Sequence, residues 1–270
     1  MRRFIFTVAV FVTAFAVSAG EIQPEALDAL PDHDVVILGE VHDNSAHHLN
    51  QARAVKALNP AALVFEMLTP EQALSVTAVN RLDEGLLGAA LGWAETGWPD
   101  FGIYFPIFEA SPKAVIYGAA LPRADVRRAV REGAMAVFGK SGNLFGLADN
   151  LTEPEQIARE TLQMEAHCNA LPENLLGGMV EAQRLRDASL AAAVLNAMDK
   201  TGGPVVVITG NGHARADWGV PVMLARAKPG MTVLSLAQFE LEPWENAPFD
   251  LYVLTSEAER EDPCAAFRKD

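Results

Sequence analysis

Val35-Val36-Ile37-Leu38-Gly39-Glu40-Val41-His42 sets the pattern on which the fold turns: four apolar, mostly β-branched residues run straight into a polar cluster. The pattern returns three times. Leu63 to Phe65 stops at Glu66, Ala114 to Tyr117 runs into Gly118 to Arg123, and Val205 to Thr209 runs into Gly210-Asn211-Gly212-His213. In open α/β sheets ligands bind beyond the carboxyl ends of the strands. Parallel strands would therefore gather Glu40, His42, Glu66, Arg123, Asn211 and His213 along one edge as a single candidate site.

Working outward from these runs, strands alternate with helices over the first and last thirds of the chain, the mark of βαβ units. The expectation is an α/β fold with a mostly parallel central sheet flanked by helices. A helix is expected from about Asn44 to Leu58, capped by Asp43 or Asn44. Thr69-Pro70-Glu71 leads into a second, with Pro at a position where a missing amide hydrogen is tolerated. The segment of about 152–200 reads as helical throughout, starting at a capping box, Thr152-Glu153-Pro154-Glu155, and broken at Pro172. With no strand inside it, this segment is expected as a helical insertion over the strand carboxyl ends. Between Leu86 and Glu109, Trp93, Trp98, Phe101, Tyr104, Phe105 and Phe108 crowd together among Gly97, Pro99, Gly102 and Pro106. That composition predicts a loop with short helical pieces, either plugging the core or walling a ligand pocket.

Met1 to Ala19 has the build of a secretory signal: Arg2-Arg3, the apolar Phe4 to Val17, and Val17-Ser18-Ala19 as cleavage site. Residues 20–270 then form a single domain exported to the periplasm. The apolar stretch is too short to span a bilayer stably, which takes roughly 20 residues. Removal of the signal takes the net charge from -14 to -16, because it carries Arg2 and Arg3 and no acid. So acidic a chain repels phosphate backbones and anionic lipid, which argues against nucleic acid or a membrane surface as partner. Its two cysteines, Cys168 and Cys264, are expected to form one disulfide in an oxidising compartment.

Glu40 and His42, two apart in extended chain, can converge on one point. With Glu66 and His213 they supply two carboxylates and two imidazoles, able to hold a divalent metal or to exchange protons. His213 as a mere cap of its turn is the duller reading. Gln183, Arg186 and Asp187 share a helix face, where Arg186 meets either an exposed ion pair or a buried anion. Of His47 and His48, adjacent on a helix, at most one can face the site, and the other is expected in solvent. No phosphate loop, Cys-x-x-Cys or Gly-x-Ser-x-Gly elbow is present.

Gly39-Glu40-Val41-His42-Asp43-Asn44 with His47-His48 and Gln51, Phe65-Glu66-Met67, Trp98-Pro99 with Tyr104 and Pro106, Ala182-Gln183 with Arg186-Asp187, and Gly210-Asn211-Gly212-His213 together resemble the ChaN-like family of iron-regulated, haem-binding bacterial proteins. The wider superfamily includes Tiki-type metalloproteases and is similar to erythromycin esterases. The resemblance implies an exported α/β protein that binds haem, serves iron or haem acquisition alongside outer-membrane haem transport components, and forms a homodimer sandwiching stacked haems. Family ligation by tyrosine makes Tyr104 the first candidate for the iron. Arg123 or Arg186 would meet the propionates, and Gln183 and Asn211 complete the expected cofactor-binding residues. Unlike some members, this chain has no lipidated Cys. The alternative expectation is a metal-dependent hydrolase, with Glu40, His42, Glu66 and His213 as catalytic and metal-binding residues.

Overall fold

The computed structural model describes residues 19–262 together with Cys264 and Ala265, so all but the last residue of the expected export signal lies outside the described residues. The strands are β1 (Gly20–Glu21), β2 (Val35–Leu38), β3 (Ala62–Phe65), β4 (Val115–Gly118), β5 (Val205–Ile208), β6 (Val233–Phe239) and β7 (Leu251–Leu254). The α-helices are α1 (Ser45–Leu58), α2 (Pro70–Leu74), α3 (Glu84–Leu91), α4 (Phe101–Ala110), α5 (Arg123–Glu132), α6 (Ala134–Phe138), α7 (Glu153–Ala166), α8 (Glu173–Thr201), α9 (Asn211–Ala214) and α10 (Val220–Ala227). All seven strands are parallel, in the order β1-β7-β6-β2-β5-β3-β4.

The central strands are apolar on both faces because both faces are covered. Val36, Leu38, Leu63 and Phe65 point into one core layer, and Phe65 stacks on Phe108 with ring centres 4.6 Å apart. Val35, Ile37, Val64 and Val207 point into the other, against Leu185, Ala188, Ala191 and Val194 of α8. Alternate residues of one strand thus feed opposite layers. Register decides what happens at the carboxyl ends. Leu38 and Phe65 both pair with Ile208, so the residues that follow, Gly39, Glu66 and Thr209, emerge side by side.

Local signals set most boundaries. Asn44 caps α1 by accepting from the Ala46 amide, and Thr69 and Gln72 close a reciprocal box at the start of α2. Thr152 stands before α7 but makes no side-chain cap, so that box does not form. The aromatic stretch is more regular than its glycines and prolines predict. Phe101 to Ala110 is a continuous helix containing Pro106, whose missing amide hydrogen forgoes a bond to Gly102. Trp93, Phe101, Tyr104, Phe105 and Phe108 are buried in the core, while Trp98 alone of the six reaches a cavity. The stretch is mostly plug, with one residue of wall.

The expected disulfide is present between Cys168 and Cys264, with Cα atoms 5.5 Å apart. Cys168 lies just past α7 rather than on it. The tail that carries Cys264 is held beyond the ends of β2 and β6: Arg260 bridges Asp43 and Glu240, and the Asn44 side-chain amide donates to Ser256 O.

Candidate functional site

Beyond the strand ends lies a cavity of about 1090 Å³. The loops after β2, β3, β4 and β5 form its floor, and α7 with the first half of α8 forms a wall, so the helical insertion does cover the carboxyl edge. Trp98, Trp218, Trp244, Phe239 and Phe249 give it aromatic surface, and Arg123, Arg127, Arg159, Arg186 and Arg215 give it positive charge. Among the described residues Arg159 is paired with Glu155 and Arg215 with Asp217, whereas the guanidinium groups of Arg127 and Arg186 have no ion pair. Arg123 donates to Thr96 O at 3.0 Å.

The floor is built from two carboxylate–imidazole pairs flanking a third carboxylate. Glu40 is 2 % exposed and hydrogen-bonded at both oxygens. Oε1 accepts from His42 Nδ1 at 2.7 Å and from the Tyr104 hydroxyl at 3.2 Å, and Oε2 accepts from Gln51 Nε2 at 2.7 Å. A carboxylate only accepts, so the bond to Glu40 places a proton on His42 Nδ1. That ring is 32 % exposed and leans on Trp98, centres 4.8 Å apart. Burial works against its charge, but Glu40 and Glu66 outweigh burial and raise its pKa.

Glu66 Oε2 accepts from the Thr209 hydroxyl at 2.7 Å and from the Gly210 amide at 2.9 Å. His213 Nε2 lies 3.5 Å from its Oε1, and His42 Nε2 lies 3.9 Å from its Oε2. On its far side His213 donates from Nδ1 to Asp187 Oδ1 of α8 at 2.6 Å. Burial opposes the His213 charge, but Glu66 and Asp187 overcome it and push the pKa up to about 10. Burial also raises Asp187, and His213 only partly offsets that. Glu66 is held well below the usual carboxylate range, since His213, His42 and the Gly210 amide outweigh the cost of enclosure.

The four expected residues, Glu40, His42, Glu66 and His213, thus do meet at the strand ends. Among the described residues no group of three or more His, Cys, Asp and Glu is arranged to hold a metal ion. Both Glu40 oxygens and Glu66 Oε2 serve hydrogen bonds, and His213 Nε2 faces Glu66.

Tyr104 is also placed differently from expectation. It is 0 % exposed, off the cavity wall and behind Glu40, with its hydroxyl donating to Glu40 Oε1 and also 3.2 Å from His42 O. Burial, then Glu40, raises its pKa further from ionisation. Asn211 lines the cavity, yet its side chain is spent locking the turn: Nδ2 donates to Gln238 O and Oδ1 accepts from Gln238 N. Gln183 and Arg186 do line the cavity, and Gln183 Oε1 is buried with no partner, as is Gln163 Oε1 on α7. Neither His47 nor His48 is solvated. His48 Nε2 bonds His42 O, while His47 bridges the Val41 amide and Thr255, and burial lowers its pKa to about 4.

Sequence reasoning missed the Asp187–His213 pair, the stacking of Arg215 on Trp218 at 3.8 Å, and the wall residues of α7. Only the Arg215-Ala216-Asp217-Trp218 run carried a signal, as polar and aromatic residues continuing a strand-end cluster.

An open, all-parallel α/β sheet with a cavity at the strand ends defines the broad class of protein. The chain belongs to the family described as haem-binding uptake, Tiki superfamily, ChaN, which matches residues 26–224. In fold it is similar to the solved structure of cofacial haem binding to ChaN of Campylobacter jejuni, at 19 % identity and a TM-score of 0.63 over 84 % of this chain and 88 % of that one. Looser likenesses, which bear no argument, are to the type III effector HopBA1 (10 % identity, 87 % and 92 % covered, TM-score 0.45) and to an erythromycin esterase in its open conformation (13 % identity, 76 % and 70 % covered, TM-score 0.38). No curated protein matches the sequence.

Proposed function

We propose that this chain binds haem in the periplasm and takes part in iron or haem acquisition. The observation that carries the reading, beside family membership, is the cavity. Its size lies just above the usual range for ligand sites, about 300–1,000 Å³. Its wall combines aromatic faces with the unpaired Arg127 and Arg186, which a flat, apolar dianion requires.

The residues fit the group in two respects. Arg127 and Arg186, with Arg123 at the rim, would hold the propionates, and Trp98, Trp218 and Trp244 would cover the ring. The buried, unpartnered oxygens of Gln183 and Gln163 mark the wall as unfinished without a ligand. Haem, when bound, supplies an iron centre able to take axial ligands. Export through the Met1 to Ala19 signal accords with the disulfide, and no described helix is long and apolar enough to cross a membrane. A homodimer and hand-over with outer-membrane transport components belong to the same reading.

The test is titration of the mature protein with haemin, followed by absorbance and by size-exclusion chromatography. Saturable binding of one haem per chain, weakened at least tenfold in R127A/R186A, is expected. Uptake that never saturates, or that ignores the arginines, would remove the reading.

A further inference from the structure

We infer that α7 is a lid over the cavity and that the Cys168–Cys264 disulfide is the strap that holds it down, so that cleaving this one bond quickens exchange of the cavity's ligand. That the ligand is haem rests on the reading above, whereas the lid itself does not.

The two helices of the wall are anchored in different ways. α8 is fixed to the sheet through Leu185, Ala188, Ala191 and Val194, all in one core layer. α7 contributes no residue to either core layer, and its buried side chains, Arg159 and Gln163, are both polar. With Leu162 and Ala166 these two make the face that α7 turns to the cavity. A separate groove of about 370 Å³, lined by Ile157, Thr161, Met164 and Leu176 among others, lies between α7 and the start of α8. Among the described residues the side-chain hydrogen bonds of α7 stay inside the helix: Arg159 with Glu155, Gln156 with Glu160, and Thr161 with Ile157 O. A helix so placed has few apolar contacts to lose on lifting, which is the physical mark of a segment that opens locally.

Two specific ties reach α7 from beyond α8. Arg159 lies over the Trp218 ring, 5.1 Å from its centre, a contact that lifting exchanges for water at small cost. The other tie is covalent. Cys168 follows α7 directly, and its partner Cys264 sits on a tail pinned beyond β2 and β6, where the Ala258 amide donates to Glu240 and Arg260 bridges Glu240 and Asp43. The disulfide therefore fastens the end of the lid to the carboxyl edge of the sheet. Both cysteines are part-exposed, within reach of a dithiol. Such a reductant passes two electrons and two protons to the bond: the S–S link breaks, Cys168 and Cys264 become thiols, and the dithiol closes to its own disulfide. Lids of this kind set the rates at which a site fills and empties.

The experiment reads the cavity without haem and then with it. Acrylamide quenching of tryptophan fluorescence is measured on the ligand-free mature protein before and after dithiothreitol, with circular dichroism as the check on folding. Reduction should raise the quenching, because Trp218 lies under Arg159 of the lid, and the rise should shrink in W218F and reverse on reoxidation. Haemin association, and its transfer to excess apomyoglobin, are then timed in the wild type and in C168S/C264S without reductant. Both rates should rise at least tenfold in the variant while the equilibrium affinity stays within about threefold, which separates a lid from a lost ligand contact. Unchanged quenching or unchanged rates overturn the inference, as does weaker binding without faster association. Unfolding on reduction or in C168S/C264S overturns it too, since the disulfide would then fasten the fold and not a lid. If the wild type takes up no haemin, the haem reading falls and the quenching result alone decides the lid.

Discussion

The loop after β2 and the turn after β5 each place a histidine beside a carboxylate, and each histidine faces Glu66, yet the two pairs differ in what is left free. His213 has a carboxylate on both nitrogens and is 7 % exposed, so it is an internal ion pair of the fold. His42 has one carboxylate partner in bonding distance, its other nitrogen stands 3.9 Å from Glu66, and its side chain is 32 % exposed. The same two chemical groups therefore serve as an enclosed fastener at one strand end and as a part-exposed pair at the next. Enclosure makes the difference, because a buried charge must be fully paired whereas a part-exposed one need not be.

The largest effect is expected at the fastener. His213→Ala leaves Asp187 and Glu66 enclosed without their cation, a change that costs roughly 3–5 kcal/mol where a buried pair is broken. Urea unfolding of H213A measures it, and a loss no larger than that of H42A would break the comparison. His42→Ala removes one charge-assisted bond from a Glu40 that keeps Tyr104 and Gln51, and should cost about 1–3 kcal/mol.

The fastener also predicts a pH dependence. Its imidazole has a folded pKa of about 10 against an ordinary value near 6.5, so the folded state binds the proton more tightly. The stability this contributes is fully present below about pH 6.5 and is lost as pH rises to about 10. Glu66, held low, acts in the opposite sense: its contribution is present above its ordinary range and is lost as pH falls. The urea midpoint should decline from pH 7 to 10 in the wild type, and the decline should be shallower in H213A. Equal slopes would show that His213 is not held charged.

How much of this the sequence discloses depends on whether a contact is local to a strand end. Glu40, His42, Glu66 and His213 are legible because parallel strands in register deliver their ends to one edge, and that follows from the apolar runs alone. The α/β alternation, the Asn44 cap and the disulfide are legible for similarly local or compositional reasons. Asp187 is not legible as the partner of His213. It sits 26 residues away on α8, and only the packing of that helix on the sheet decides which of Gln183, Arg186 and Asp187 points down. Tyr104 misleads for the same reason: its helix turns it inward with Phe105 and Phe108. β1, two residues long, has no periodicity to read and exists because β7 offers it an edge.

Reducing the Cys168–Cys264 disulfide tests whether the cavity wall can be loosened apart from the fastener. The bond closes a segment between residues 96 apart, and its loss should cost about 2–4 kcal/mol. The tail it anchors reaches Asp43 and Asn44, next to His42, whereas His213 is tied to α8. Hydrogen exchange in C264S should therefore quicken in α7 and in the loop of 39–44, leaving 210–214 protected. Faster exchange at 210–214 to the same extent would merge the two regions into one.

The smallest and sharpest contrast is between two glycines. Both have backbone angles any residue adopts, Gly210 at φ -63° and Gly219 at φ -80°, so only space decides what an added methyl does. At Gly219 the new carbon would lie 2.3 Å from His213 O and 2.7 Å from Arg215 O, main-chain atoms that cannot step aside. Gly219→Ala should destabilise by about 1–3 kcal/mol. At Gly210 it would lie 2.9 Å from His42 Nε2, the end of a side chain with room to move into the cavity. There the clash is relieved by rotation of the ring and offset by the lower entropy of the unfolded chain, a gain of about 0.4–1 kcal/mol. Gly210→Ala should leave the stability measured by urea unfolding within about 1 kcal/mol of wild type. If both substitutions destabilise equally, the His42 ring is held as firmly as main chain, and the distinction between an enclosed fastener and a part-exposed pair fails.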